Sequence, residues 1–218
     1  SALKRKGEVQ IYETDFKQFT TGKSNKDDLK ERIFLCKVNS STTTQKSIVA
    51  SKRNPIQSGY VKSPLNYTGG KHKLLPQITK LFPENINTFY DVFAGGANVG
   101  INADAQSVIC VEKNKNVVDL LRLIQGMNFD DLNQQIVDII DRFGLSQSYI
   151  KGYDFYGAES SAGLGKVNKQ AFLELRDEFN KSKKRTDLLL ILVLYSFNNQ
   201  IRFNSKGDFN LPVGKRDY

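Results

Sequence analysis

From Ser63 onward, apolar residues recur alternately at helical and at strand spacing. Leu74, Leu75, Ile78 and Leu81 fall on one helical face over Lys73 to Leu81, with Pro83 as a stop. Thr88 to Phe93 predicts a strand that runs into a glycine-rich turn, and Ala97 can open a helix behind it. Ser107 to Val111 predicts a second strand. Asn116 to Gln125 reads as a helix, as does Asp130 to Phe143, with Leu132, Ile136, Ile139 and Ile140 on one face. Residues 144 to 166 hold many Gly, Ser and Tyr and read as a surface loop. Lys169 to Lys181 predicts an amphipathic helix (Phe172, Leu175, Phe179), and Asp187 is placed to cap a buried helix running to about Phe197. Strands alternating with helices predict an α/β fold on a parallel, doubly wound sheet.

Residues 1 to 62 follow a different pattern. They are rich in Lys, Ser and Thr, with two short β-like runs, Val9 to Phe16 and Arg32 to Val38. Thr20 to Lys30 reads as a loop or short helix, and Ser40 to Ser51 as a linker. This predicts an N-terminal extension or upstream module over 1–62, an α/β part over 63–125, and a helical region over 126–218 that ends in a hairpin.

Charge narrows the partner. The 218 residues carry 32 Lys and Arg against 23 Asp and Glu, a net +9, which favours a polyanionic partner such as nucleic acid, or an anionic membrane surface, with a generically basic soluble protein as the alternative. Cys36, Cys110 and the single histidine, His72, supply neither a disulfide framework nor a metal-ligand set, which suits a reducing cytoplasm. The most apolar run, Leu188 to Leu194, is too short to span a bilayer.

Three stretches carry chemistry. In Asn66-Tyr67-Thr68-Gly69-Gly70-Lys71, a Gly-Gly step lets backbone pass close to a ligand with a cation beside it, although taken alone the stretch reads first as a plain turn. The phosphate-loop spacing fails here, and again at Gly163-Leu164-Gly165-Lys166, which is followed by Val167. In the second, Asp91-Val92-Phe93-Ala94-Gly95-Gly96-Ala97 closes a strand with a carboxylate and a bare turn. Glu112 then ends the next strand about twenty residues on, the spacing at which an acid grips ribose hydroxyls. An acid at the start of the turn repels pyrophosphate and suits a cationic or amine-bearing nucleoside. S-adenosylmethionine fits, with its sulfonium, ammonium and two ribose hydroxyls; a capping Asp and an exposed Glu are the alternative. In the third, Tyr195 to Tyr218, amides and Arg202, Lys206, Lys215 and Arg216 alternate with aromatics around a Lys-Gly-Asp turn. Such a hairpin neutralises phosphates and reaches base edges, or is simply a solvated surface hairpin.

Taken together, residues 63 to 218 resemble Dam-type DNA adenine-N6 methyltransferases. The family's Trp-Ala-Gly-Gly-Lys opening is similar to Tyr67-Thr68-Gly69-Gly70-Lys71, and its Phe-x-Gly-x-Gly cofactor loop to Asp91 through Ala97. Its Tyr-x-x-Leu-Arg-x-x-Phe-Asn helix resembles Phe172 to Asn180. Its Asn-Gly-x-x-Arg-Tyr-Asn and Gly-x-Phe-Asn-x-Pro-x-Gly hairpin resembles Asn198 to Asn204 and Gly207 to Gly214. The resemblance implies a Rossmann-like methyltransferase fold, present in part, that moves a methyl group from S-adenosylmethionine to an adenine flipped out of double-stranded DNA. It implies cofactor contacts from Tyr67, Thr68, Gly69, Gly70, Lys71, Asp91, Phe93, Ala94, Gly95, Gly96 and Glu112. It implies DNA contacts from Asn198, Arg202 and Asn204, with Lys215 and Arg216 on phosphates.

This chain departs from the family pattern in that Tyr67 replaces Trp, Gly96-Ala97 inverts the usual order, and the catalytic Asp-Pro-Pro-Tyr is absent. No Pro-Pro step occurs anywhere. The expectation is a portion of a longer enzyme, inactive alone and completed by another segment or chain. A non-catalytic DNA-binding protein on the same scaffold, or a methyltransferase for RNA, are the alternatives.

Overall fold

The computed structural model describes residues 8–13, 59–158, 161 and 163–217. The chain divides into two compact units, residues 16–59 and the remainder, and every element below belongs to the latter. The expectations for Thr20 to Lys30, Arg32 to Val38, Cys36 and Ser40 to Ser51 lie outside the described residues.

Three strands form one sheet: β1 (Glu8–Glu13), β2 (Ile86–Asp91) and β3 (Ala105–Glu112). Their order is β1-β3-β2, and both pairings are parallel. The part of the strand predicted over Val9 to Phe16 that is described, within β1, thus lies beside β3, with Glu8 opposite Ser107 and Glu13 opposite Glu112. On the other side of β3, Asp91 lies opposite Cys110. Because all three strands run the same way, their carboxyl ends share one edge, where ligands bind in open α/β sheets. Val108 and Cys110 of the middle strand are buried.

The helices start and stop where local chemistry directs. Asn114 caps α2 (Lys115–Gly126) by accepting from the Asn116 N–H. Asn128 caps α3 (Phe129–Phe143) by accepting from the Asp131 N–H, and Gly144 at φ 70° ends it in the left-handed conformation that glycine enters freely. The helix expected over Lys73 to Leu81 is broken, with a four-residue α1 (Leu75–Ile78) between two 3-10 turns. Residues 144 to 166 are not all loop, since α4 (Ser148–Phe155) lies inside them, interrupted at Gly152. α5 covers Gly165–Ser182 and α6 covers Thr186–Tyr195. Asp187 sits inside the first turn of α6 rather than at its cap, where Arg185 stands without a side-chain cap. Leu188 through Val193 are buried on every face, so α6 is the core around which α2, α3 and α5 pack. Among the described residues, no helix is long and apolar enough to cross a membrane.

Beyond α6 the chain forms two antiparallel arms, joined by isolated bridges at Ser196–Val213 and Phe203–Phe209. Phe203 stacks edge-on against Phe209 and packs near Phe179 of α5. Asn180 of α5 grips the Phe209 backbone, accepting its N–H at 2.8 Å and donating to its carbonyl at 3.1 Å.

Candidate functional site

The two predicted acids stand at the carboxyl ends of β2 and β3, and both are built into the turn between them. The Asp91 Oδ2 accepts the Gly100 N–H at 3.0 Å. Glu112 accepts the Gly95 N–H on Oε2 at 2.9 Å and the Asn114 N–H on Oε1 at 2.8 Å. Each carboxylate oxygen retains a lone pair, so both acids can still accept from a ligand. Burial pushes the Asp91 carboxyl above the usual carboxylate range; the Gly100 hydrogen bond opposes this and the nearby Glu112 charge adds to it. On the neighbouring strand, burial and the Asp91 charge push the Cys110 thiol up to about 12, so it is inert.

The helix expected from Ala97 does not form. Ala97 takes φ +62°, and Asp91 draws the Gly100 N–H out of any helical ladder. Only a single 3-10 turn, Gly100–Asn102, follows before Ala103 is extended. A methyl group on Gly100 would meet the Cys110 sulfur at 2.4 Å, so glycine is required there.

The turn's bareness is used by the protein itself. A Cβ on Gly95 would lie 3.1 Å from the Tyr67 ring, and one on Gly96 3.1 Å from the Ser63 hydroxyl and 3.2 Å from the Leu65 carbonyl. The segment around Tyr67 therefore packs directly onto the Asp91 turn. Asn98, absent from the expected site, pins the two together: buried, it accepts the Ser63 N–H at 2.9 Å. Asn102 continues the seam by pairing with both the N–H and the carbonyl of Val61. Thr68, Gly69, Gly70 and Lys71 stay exposed; Gly70 closes a turn onto the Tyr67 carbonyl, and the Lys71 ammonium rests on the Gly69 carbonyl. Ala94 is tied to the Val111 carbonyl, and Phe93 stands 86% exposed.

The predicted DNA-contacting residues lie on the arms beyond α6. Asn198 is exposed, at φ 55°. The Arg202 guanidinium is held along the hairpin by Asn210, through its side chain at 2.9 Å and its carbonyl at 3.0 Å. Asn204 is largely spent on the turn, accepting the Lys206 and Asp208 N–H groups and donating to the Asp208 carboxylate. Lys183 binds the same carboxylate at 2.6 Å, and holds it below the usual range together with Asn204. Lys215 and Arg216 are exposed and lie between two anchors. The Lys215 carbonyl accepts the Leu164 N–H, and the Asp217 carboxylate gathers the Ser146 hydroxyl with the Ser148 N–H and hydroxyl. Among the described residues, no group of His, Cys, Asp and Glu forms a metal site.

Two carboxylates at one sheet edge suit an ammonium and ribose hydroxyls and repel a pyrophosphate. A family model for D12 class N6 adenine-specific DNA methyltransferases matches residues 67–218. The chain is 36% identical over 211 residues, 94% of its length, to the type II methyltransferase M.FokI of Planomicrobium okeanokoites, covering 29% of that protein. It is 43% identical over 156 residues to the modification methylase StsI of Streptococcus sanguinis, covering 72% of this chain and 21% of that one. To the DNA adenine methylase of Escherichia coli (strain K12) it is 25% identical over 154 residues, 69% of this chain and 47% of the relative. The chain thus spans less than a third of the first two relatives and about half of the third.

Proposed function

Because the chain belongs to the D12 class N6 adenine-specific DNA methyltransferases, we propose that it supplies the cofactor-binding and target-recognition portion of such an enzyme. The observation that carries the reading is the pair Asp91 and Glu112, anchored side by side at the carboxyl ends of neighbouring parallel strands.

Asp91 faces the cofactor's ammonium and Glu112 its ribose hydroxyls, on a partial Rossmann-like methyltransferase fold. Tyr67 to Lys71 and Phe93 to Gly96 close over the cofactor. When bound, S-adenosylmethionine supplies the electrophilic methyl group; what this chain's residues do is bind it, orient it and meet double-stranded DNA. Arg202 and Asn198 meet base edges, and Lys215 and Arg216 meet phosphates.

The sequence has no Asp-Pro-Pro-Tyr to hold and orient the adenine amine. The chain by itself therefore binds without turning over, and another segment or chain supplies that step.

Calorimetry with S-adenosylmethionine and a duplex-binding assay test this directly, with both ligands expected to bind. Duplex binding with no cofactor binding would instead identify a non-catalytic DNA-binding protein on this scaffold. Preference for RNA in competition would change the substrate class. Sustained methyl transfer by the chain alone would overturn its incompleteness.

A further inference from the structure

Asn66 lies one residue before the Tyr67 segment that packs on the Asp91 turn, yet its own contacts reach elsewhere. Its backbone bridges Gln200, and its side-chain Nδ2 donates to the Asn198 carbonyl at 2.8 Å. Asn198 and Asn199 both occupy the left-handed region, at φ 55° and 52°. Asparagine enters that region more readily than other non-glycine residues, and two such residues in succession stay there where neighbours fix them.

Two struts do so here. From below, the Asn199 side chain donates to the Leu194 carbonyl at 2.6 Å at the end of α6. From the side comes Asn66. In the turn they hold, Phe197 is 50% exposed and Asn198 is exposed. Asn66 therefore joins the cofactor segment, whose next residue presses its ring on Gly95, to the turn proposed to meet DNA.

We propose that Asn66 is a positioning residue through which cofactor binding and DNA binding are coupled. A cofactor that orders Tyr67 to Lys71 against Gly95 also fixes the Asn66 side chain under the strained turn, and duplex bound on that turn fixes Asn66 in return. Linkage makes the two effects equal in size. This rests on the functional reading above.

The test measures affinity of the intact chain for a fluorescent adenine-bearing duplex, with and without saturating S-adenosylmethionine. In the unaltered chain the cofactor tightens duplex binding by at least about fivefold. In Asn66→Asp, which is isosteric but lacks the donor, that ratio falls to about one, while affinity for the cofactor alone changes less than about twofold. Asn66→Gln, which keeps an amide donor, restores part of the ratio. An unchanged ratio in Asn66→Asp overturns the proposal, and so does a parallel fall of both separate affinities with the ratio intact, which is what a merely structural residue gives. Should Asn66→Asp fail to fold by circular dichroism, Asn66→Ala at this exposed position gives the same readout. An unaltered chain that binds neither ligand refutes the functional reading; one that binds both without coupling refutes this inference alone.

Discussion

Glu112 holds Gly95 directly, its Oε2 accepting the Gly95 N–H at 2.9 Å while its Oε1 takes that of Asn114 at 2.8 Å. The proposed ribose-binding acid therefore also shapes the turn that the cofactor meets. Glu112→Gln leaves one acceptor for two backbone donors and turns an amide N–H₂ against the other. A half-buried charged hydrogen bond lost this way costs about 1–3 kcal/mol, so the thermal midpoint falls by several degrees and cofactor affinity falls with it. A variant that lost cofactor affinity at an unchanged midpoint would separate the two roles and contradict the shared one.

Asp91 should work against stability at neutral pH. Burial raises its folded carboxyl above the ordinary 3.8, over the opposing hydrogen bond from Gly100. A raised acid binds its proton more tightly when folded, so its contribution is fully present below 3.8 and is lost as pH rises through the folded value. Asp91→Asn keeps an acceptor for Gly100 but flattens this part of the pH–stability curve and raises the midpoint at pH 7. The same change removes the anion proposed to meet the ammonium, weakening S-adenosylmethionine about 10- to 100-fold. Thermal melts across pH 4 to 8 beside calorimetry check both signs; a lower midpoint at pH 7 contradicts the first.

Gly100 and Cys110 form a packed pair. Gly100→Ala sets a methyl where the Cys110 sulfur already stands, at 2.4 Å, with Val108 at 3.3 Å. Overpacking of this kind costs about 1–3 kcal/mol. Removing the sulfur in Gly100→Ala/Cys110→Ala should recover much of it, so the double variant unfolds later than the sum of the singles requires. Strict additivity in denaturant titrations would mean the clash is relieved elsewhere.

Arg202 and Lys215 should differ in kind. Arg202 is held rigid by Asn210 beside the proposed base-contacting turn, whereas Lys215 is exposed and tied only weakly through its ammonium, at 3.5 Å from the Ser161 carbonyl. Arg202→Ala costs about 1–3 kcal/mol of duplex binding and relaxes sequence preference. Lys215→Ala weakens all duplexes alike and lowers the salt slope by about one. Equal salt slopes for the two variants would contradict this division.

How much of this was legible in the sequence depended on how local each cause is. The strands and the helices α2 and α3 followed from periodicity, because a buried face must repeat with its own backbone, and α6 followed from its unbroken apolar run. The helix expected at Ala97 failed for a reason no window reveals: a carboxylate on the preceding strand captures the Gly100 N–H. α4 was missed because Tyr149, Ile150 and Phe155 are exposed and Gly152 interrupts it, leaving no apolar stripe to read. Asp91 and Glu112 could be chosen because each ends a strand. Asn98 and Asn66 could not, since an asparagine in a turn reads as turn chemistry until its distant partner is known. The glycines were read as room for a ligand, and much of that room is filled by Ser63, Leu65 and Tyr67.

The placement of β1 governs the order of assembly. Glu8 lies opposite Ser107, so β1 pairs with a strand that follows it by about a hundred residues along the chain. Contacts of such long sequence separation form slowly, and β1 closes onto the sheet only after β3 exists. An early-emerging segment waiting with its backbone unpaired is where a nascent chain is open to misassociation.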